Sequence, residues 1–397
     1  MSKVIAVNSG SSSLKFQLFQ MPEEVVLTSG AAERIGLEMG IFTINVNGEK
    51  IKTEVPIEDH QKAVDLLLNA LVEHGIVKDL NEIEAAGHRI VQGGPYFKES
   101  VKVDDDVVNK VDELSTLAPL HNPAHLVCYK AFKKALPNIG HVFVFDTAFH
   151  QTMEPENYLY PVPYEWYENY KVRKYGAHGT SHQFVMKRTA ELMGKKPEEL
   201  NIITCHLGNG ASITAIKNGK CVNTTMGLSP LGGIMMGTRC GDIDPTVVYY
   251  MQEKLGCSPE EMDKYLNKKS GMLGVSGISS DARDVQAAVD SGNQRAILTQ
   301  NMYCAEAIRF IGGYYMQLGH VDAIAFTAGL GEHATAIREG ILKGLEEGMG
   351  VKVDYELNSK THDEKKISIP DSKVEVFVVP TNEELVIARD AVRLLGL

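Results

Sequence analysis

Two arginines, a histidine among small residues and an aspartate at a strand end give this chain its chemical possibilities. Arg89 closes an apolar stretch at residues 84–91, and Arg239 stands in the glycine-bearing turn Met236-Gly237-Thr238-Arg239-Cys240-Gly241. A guanidinium fork matches a carboxylate or a transferring phosphoryl group, whereas a lone arginine usually ends in a surface ion pair. His178 lies in Gly176-Ala177-His178-Gly179-Thr180-Ser181-His182, a stretch too small to bury a histidine for packing alone. His182 and His121 read as local hydrogen-bonding residues. Asp146 ends the strand at 141–145, a place where carboxylates face clefts or anchor loops.

Anion-binding backbone is the second signal. Asn8-Ser9-Gly10-Ser11-Ser12-Ser13 joins an apolar run to an alternating one, and Lys15 follows directly. Glycine and serine leave backbone N–H groups uncovered and add hydroxyls, which suits phosphate. The same residues also suit an ordinary polar hairpin loop. No GxxxxGK[ST] is present here, so this is not a Walker loop. Residues 202–216 repeat the pattern around Gly208-Asn209-Gly210, and a late glycine turn, Gly329-Leu330-Gly331, follows the strand at 321–326. Two hairpin turns facing each other across a cleft are expected to cradle one nucleotide, with the late turn near its base or ribose.

The elements that position these residues read as a duplicated α/β chain. Strands are expected at 25–35 and 41–46, the second closed by Asn47-Gly48, before a helix at 60–74 with Ala63, Leu66, Leu67, Ala70 and Leu71 on one face. Helices follow at 103–114 and from about 123 to 136. Residues 152–175, rich in Pro, Tyr and Glu, read as the connection between two domains. Beyond it lie the second hairpin, helices at 245–255, 258–267 and 294–318, and a strand at 374–379. Thr381 is expected to cap a last helix at 382–395. Glu384 would then fit a capping box with Thr381, and Glu383 would favour the helix dipole in any case.

Length makes two domains the natural division of 397 residues. A net charge of −11 disfavours a broad nucleic-acid or anionic-membrane surface while permitting a local basic pocket. The six cysteines show neither CxxC pairing nor metal spacing and read as reduced thiols. Met1-Ser2-Lys3 runs straight into the first strand, and no run of about 18 apolar residues occurs. No signal peptide, no membrane span and a cytoplasmic location are therefore the expectation.

The order of phosphate turn, strand-end Asp, second phosphate turn and late glycine turn resembles the ATPase superfamily of actin, the 70-kDa heat-shock proteins and the sugar kinases. Within it, a series of motifs resembles the acetate kinase family in that family's order. They are VNSGSSSLKF (7–16), GHRIVQGG (87–94), PLHNP (119–123), FDTAFH (145–150), YGAHGTSH (175–182), HLGNG (206–210), MGTRCGDIDP (236–245), TAGLGE (327–332) and PTNEELVIARD (380–390). The resemblance implies two ribonuclease H-like (actin-like) α/β domains with an active-site cleft between them, each built on a mixed five-stranded sheet flanked by helices. One would comprise residues 1–150 closed by 383–397, the other 151–382. It implies reversible phosphoryl transfer from ATP to acetate with Mg2+, or Mn2+ in its place, by direct in-line attack. A homodimer without nucleic-acid or membrane partners completes the expectation.

The same resemblance assigns roles residue by residue. Asp146, His178, Arg239 and Arg89 are the catalytic set, with His178 meeting the phosphoryl group in flight. Asp146 is expected to position metal-bound water or charge, because acetate carries no proton to abstract at pH 7. Val91, Leu120, Ala177 and Pro230 line the methyl pocket together with Arg89. Asn8 and Glu383 serve the metal, which needs few protein ligands. Nucleotide contacts fall to Ser11, Ser13, Lys15, His206, Leu207, Gly208, Asn209 and Gly210. Asp281, Ala282, Arg283, Gly329, Leu330, Gly331, Glu332 and His333 complete them. One departure stands out: Ala177 occupies a position where the family commonly carries Phe, which predicts better tolerance of propionate. Kinases for propionate or butyrate, and a nucleotide-driven binding or filament protein of the same fold, are the competing readings.

Overall fold

Each half of the chain opens with an apolar run, a short polar turn and an alternating run, and in each the outcome is an antiparallel hairpin. The computed structural model describes residues 1–119 and 121–397. Its backbone divides into two units, Met1–Phe149 with Asn382–Leu397, and His150–Thr381.

The first unit carries eight strands: β1 Ser2–Gly10, β2 Ser13–Met21, β3 Val25–Glu33, β4 Gly40–Val46, β5 Glu49–Val55, β6 Ile83–Ile90, β7 Val101–Lys102 and β8 Gly140–Phe145. They form one sheet in the order β5-β4-β3-β2-β1-β6-β8-β7. β1 to β5 are an antiparallel meander, while β1, β6 and β8 run parallel. The alternation of Leu14, Phe16 and Leu18 places all three in one cluster with Val64, Leu67 and Leu71 of the helix His60–Glu73. Asp59 caps that helix by accepting from the Lys62 N–H.

The second unit has six strands: β9 Asn201–Leu207, β10 Ala211–Lys217, β11 Lys220–Thr224, β12 Ala323–Thr327, β13 Lys365–Lys366 and β14 Glu375–Val378. Their order is β11-β10-β9-β12-β14-β13, with β9, β12 and β14 parallel. β9 and β12 are buried along their whole length, as strands covered on both faces must be. The central pattern of an antiparallel three-strand meander continued by two parallel strands is the same in both sheets, which is the mark of a duplicated domain.

The five strands expected in each sheet become eight and six. In the first sheet β4 is the strand expected at 41–46, closed by the left-handed Asn47-Gly48 turn as expected, and β5 and the two-residue β7 come in addition. The second gains the two-residue β13. Residues 152–175 contain two short helices, Pro155–Tyr158 and Tyr164–Tyr170, and lie within the second unit.

The last helix, Glu383–Leu395, is capped by Asn382, whose Oδ1 accepts from the Leu385 N–H at 3.0 Å, and not by Thr381. Glu384 therefore sits one position too early to close a capping box. Its buried face of Leu385, Val386, Ile387, Ala388 and Ala391 packs on the first unit's sheet. A side chain at Gly87 of β6 would come within 2.4 Å of Ile387, so this close approach requires glycine.

Candidate active site

In the first unit, three strand ends and one helix start gather the polar groups. Arg89, near the end of β6, holds Asp146 side-on, with Nε donating to Oδ1 at 2.9 Å and Nη2 to Oδ2 at 2.5 Å. Its Nη1 donates to Asn8 Oδ1 at 3.0 Å from the end of β1. Burial opposes the Arg89 charge, but Asp146 and the carboxylates of Glu383 and Glu384 outweigh it and raise the guanidinium pKa. One N–H each on Nη1 and Nη2 is left over from these three bonds, and charged donors of this kind suit an incoming carboxylate. Val91 is buried two residues further along, and Leu120 lies outside the described residues.

The turn between β1 and β2 is held from behind. His60 Nε2 donates to the Gly10 carbonyl at 2.8 Å, and the Ile35 N–H to the Ser12 carbonyl at 3.0 Å. Ser11 and Ser12 are exposed, and so is Lys15, which lines a hollow of about 310 Å³ with Gln17, Thr43, Lys50 and Glu384. Burial raises the Glu384 carboxyl pKa, against the pull of Lys15 and Arg89.

In the second unit, His178 precedes the helix Gly179–Leu192 in a left-handed conformation, φ +58°. Its ring stacks on that of His206, with centroids 4.1 Å apart and planes 21° apart, and its Nδ1 lies 2.9 Å from Ser212 Oγ. A Cβ placed on Gly210 would lie 3.4 Å from Arg239 Nη1 and 3.5 Å from His178 Nε2. The two side chains thus converge on the Gly208-Asn209-Gly210 turn, which only a residue without a side chain leaves open to an anion. Arg239 donates to the Pro230 carbonyl at 3.1 Å. No carboxylate pairs with Arg239 among the described residues, and burial lowers its pKa.

Beside this turn lies a cavity of about 920 Å³. Gly208, Asn209, Asp281, Ala282, Arg283, Gly329, Leu330 and His333 line it. Arg283 and Asp281 form a hydrogen-bonded ion pair beside the cavity, which pulls the Asp281 pKa down to about 2. Leu207 and Gly331 are buried outside the lining, and His206 faces His178. The expected turn at Gly329-Leu330-Gly331 is the body of a short helix, Ala328–His333. Glu332 folds back on that helix's start, accepting from the Ala328 N–H at 2.8 Å, which satisfies an end donor that a plain turn would leave open.

Residues 3–389 match the model of the acetokinase family. The chain belongs to that family. It is 53% identical over 394 residues to the acetate kinase of Bacillus subtilis (strain 168), covering 99% of this chain and 100% of the relative. The crystal structure of Porphyromonas gingivalis acetate kinase superposes with a TM-score of 0.95 at 44% identity, over 100% of both chains. That of a propionate kinase from Francisella tularensis gives 0.94 at 38%, over 99% of this chain and 100% of the other. As an acetokinase-family member this chain is a kinase with two actin-like ATPase domains.

Gln286 and Asp290 also line the cavity and were not legible as site residues. They follow Arg283 at helical spacing on Ala282–Asp290, a periodicity that would have found them. Arg338 was missed as well. It is fully buried and gives all five of its donors to Gly331 O, Glu332 O, Asn358 O, Thr361 O and Asn358 Oδ1, which ties down the short helix at the cavity wall.

Proposed function

We propose that this protein is an acetate kinase that transfers the γ-phosphoryl group of ATP to a carboxylate oxygen of acetate, giving acetyl phosphate and ADP, reversibly and by in-line attack. The observation that carries the reading is the convergence of Arg239 Nη1 and His178 Nε2 on Gly210, beside a cavity of about 920 Å³ that suits a nucleotide. One anion held there meets a permanent cation and a hydrogen-bonding ring, which is what a loose, charge-spreading phosphoryl transition state needs.

In this reading the two remaining N–H donors of Arg89 take the acetate carboxylate. A new O–P bond forms as the bond from phosphorus to the β–γ bridging oxygen breaks, and ADP leaves with that electron pair. No proton moves, so Asp146 acts by orienting Arg89 and by its charge. By the resemblance Val91, Ala177 and Pro230 are the residues that meet the acetate methyl group, and Ser11, Ser13 and Lys15 serve phosphate oxygens. Gly208–Gly210, Asp281–Arg283 and the 328–333 helix hold the nucleoside end.

Asn8, Asp146 and Glu383 offer only hard oxygen ligands, and among the described residues no ready-made cage of three His, Cys, Asp or Glu exists. Such a sparse oxygen set fits Mg2+, or Mn2+, carried mainly by nucleotide phosphates and water. When bound, the metal supplies neutralisation of phosphate charge. The net charge of −11 fits the lack of a nucleic-acid partner, and a cytoplasmic homodimer is what the family resemblance implies.

A second reading, with propionate as a good substrate, rests on Ala177. The deciding experiment incubates the protein with ATP, Mg2+ and acetate, propionate or butyrate, and traps the acyl phosphate with hydroxylamine. A preference for acetate supports the first reading and one for propionate the second. ATP hydrolysis without any acyl phosphate would return the chain to the binding-protein class.

A further inference from the structure

His178 is one end of a chain of four hydrogen-bonded side chains, three of them fully buried. Its Nδ1 lies 2.9 Å from Ser212 Oγ, Ser212 Oγ lies 2.7 Å from His182 Nε2, and His182 Nδ1 lies 2.7 Å from Thr204 Oγ1. Ser212, His182 and Thr204 are each 0% exposed. The fold explains the alignment. Thr204 and His206 are two apart on β9, and Ser212 pairs with His206 across the β9–β10 ladder, so all three share one face of the sheet. His178 and His182, four apart at the start of the 179–192 helix, lie over that face.

Such a chain can be polarised in two directions, and its buried end selects one. His182 is the one hydrogen-bond partner of the Thr204 hydroxyl among the described residues. If that hydroxyl accepted a hydrogen bond from His182, its own hydrogen would be left buried and unpaired, at a cost of about 1–3 kcal/mol. Thr204 therefore donates to His182 Nδ1. Burial, with the neighbouring His150 and His206, pushes the His182 pKa well below its ordinary value, so the ring is neutral and carries one proton. That proton then sits on Nε2 and is donated to Ser212 Oγ. The Ser212 hydrogen is left to donate to His178 Nδ1.

We propose that Thr204, His182 and Ser212 are positioning residues that fix His178 as its Nε2–H tautomer, so that the nitrogen converging with Arg239 on Gly210 is a hydrogen-bond donor before any substrate binds. The value of such a donor rests on the reading above, in which His178 meets the transferring phosphoryl group. A ring in the other tautomer would present a lone pair to phosphate oxygens and repel them. The stack of His178 on His206 fixes the ring plane, and the relay decides which nitrogen bears the proton.

The test labels the intact protein with 15N-histidine and reads the tautomer from long-range proton–nitrogen correlations, assigning His178 by its loss in His178→Gln. The expected spectrum at pH 7.5 shows His178 protonated on Nε2 alone. Ser212→Ala should mix the tautomers and lower kcat about tenfold, with KM for ATP within twofold. Thr204→Val, of equal shape without the hydroxyl, should act in the same direction, and Thr204→Ser should restore wild-type behaviour. An Nδ1–H tautomer in the wild type, or a tautomer and kcat unmoved in Ser212→Ala, would overturn the proposal. Full activity in His178→Ala, with the tautomer as expected, would instead overturn the role of His178 in transfer and with it the purpose assigned to the relay.

Discussion

The Arg89–Asp146 pair is lopsided: the carboxylate is fully buried, while the arginine side chain keeps 20% of its surface exposed. Removing the arginine strands a buried charge, which costs roughly 3–5 kcal/mol. Arg89→Ala should lose stability of that order and turnover by on the order of 10²-fold or more. Asp146→Asn in the Arg89→Ala background should recover part of the stability but none of the turnover. Urea unfolding and the hydroxamate assay on the single and double variants separate the two effects, and full activity in Arg89→Ala would remove that residue from the mechanism.

Arg239 should behave in the opposite way. Among the described residues it has no carboxylate partner, and burial disfavours its charge, so its removal relieves a cost and leaves no buried charge behind, only the carbonyl of half-buried Pro230 without its donor. Arg239→Met is expected to keep or slightly raise the melting temperature while lowering kcat by about 10²–10³-fold, as for loss of a preorganised transition-state donor. A parallel loss of stability and activity would mark Arg239 as structural.

Much of this site was legible because the motifs carry it locally. The glycines around His178 and Arg239 and the Ser-Gly turn each declare their chemistry within a few residues. What was not legible depended on partners that spacing does not reveal. Thr381 and Asn382 are adjacent cap-forming residues, and spacing alone does not say which of them accepts from the helix's first turn; in the structure it is Asn382. Glu332 looked like a ligand of the late turn, but its carboxylate closes its own helix. Ser212 and Thr204 read as ordinary strand residues until the register of β9 against β10 brings them under His178 and His182.

Acid should weaken the first unit through buried histidines. His88 Nε2 and His141 Nδ1 are hydrogen-bonded at 3.0 Å, and His125 Nδ1 donates to the Arg89 carbonyl. Burial, helped by the Lys133 charge, lowers His141 to about 4. Burial and the Arg89 charge lower His125 to about 3, and His88 also falls well below its ordinary value. Unfolded imidazoles titrate near about 6.5, so below that pH the unfolded chain binds more protons and stability falls with pH until the folded values are reached. At pH 5 the loss is about 2 kcal/mol each for His125 and His141. Unfolding at pH 7.5 and pH 5 should show it, and in His141→Phe the drop should shrink by about one histidine's share.

Arg338 predicts a binding effect without contact to the ligand. Its five donors tie Gly331 and Glu332 to Asn358 and Thr361, and burial lowers its pKa to about 10. Lysine brings three donors in place of a planar fork of five, so Arg338→Lys leaves carbonyls unpaired. The expected result is a loss of about 2–4 kcal/mol in stability. The KM for ATP should rise about tenfold with little change for acetate, because the 328–333 helix lines the cavity. Equal changes in both constants would argue that the tie does not act on the cavity wall.

Ala177 sets the last expectation. It is 3% exposed, and its carbonyl accepts from His150 Nε2 at 2.9 Å, so the backbone before His178 is fixed and only the side-chain volume is at issue. If Ala177 lines the methyl pocket, the missing ring leaves room for one more methylene. A methylene in an apolar pocket is worth only about 1–3 kcal/mol, so the preference between acetate and propionate should be modest. Ala177→Phe should lower kcat/KM for propionate about tenfold or more while leaving acetate within threefold, the hydroxamate assay giving both constants. A propionate constant unchanged by the phenyl ring would place Ala177 outside the pocket and leave chain length to other residues.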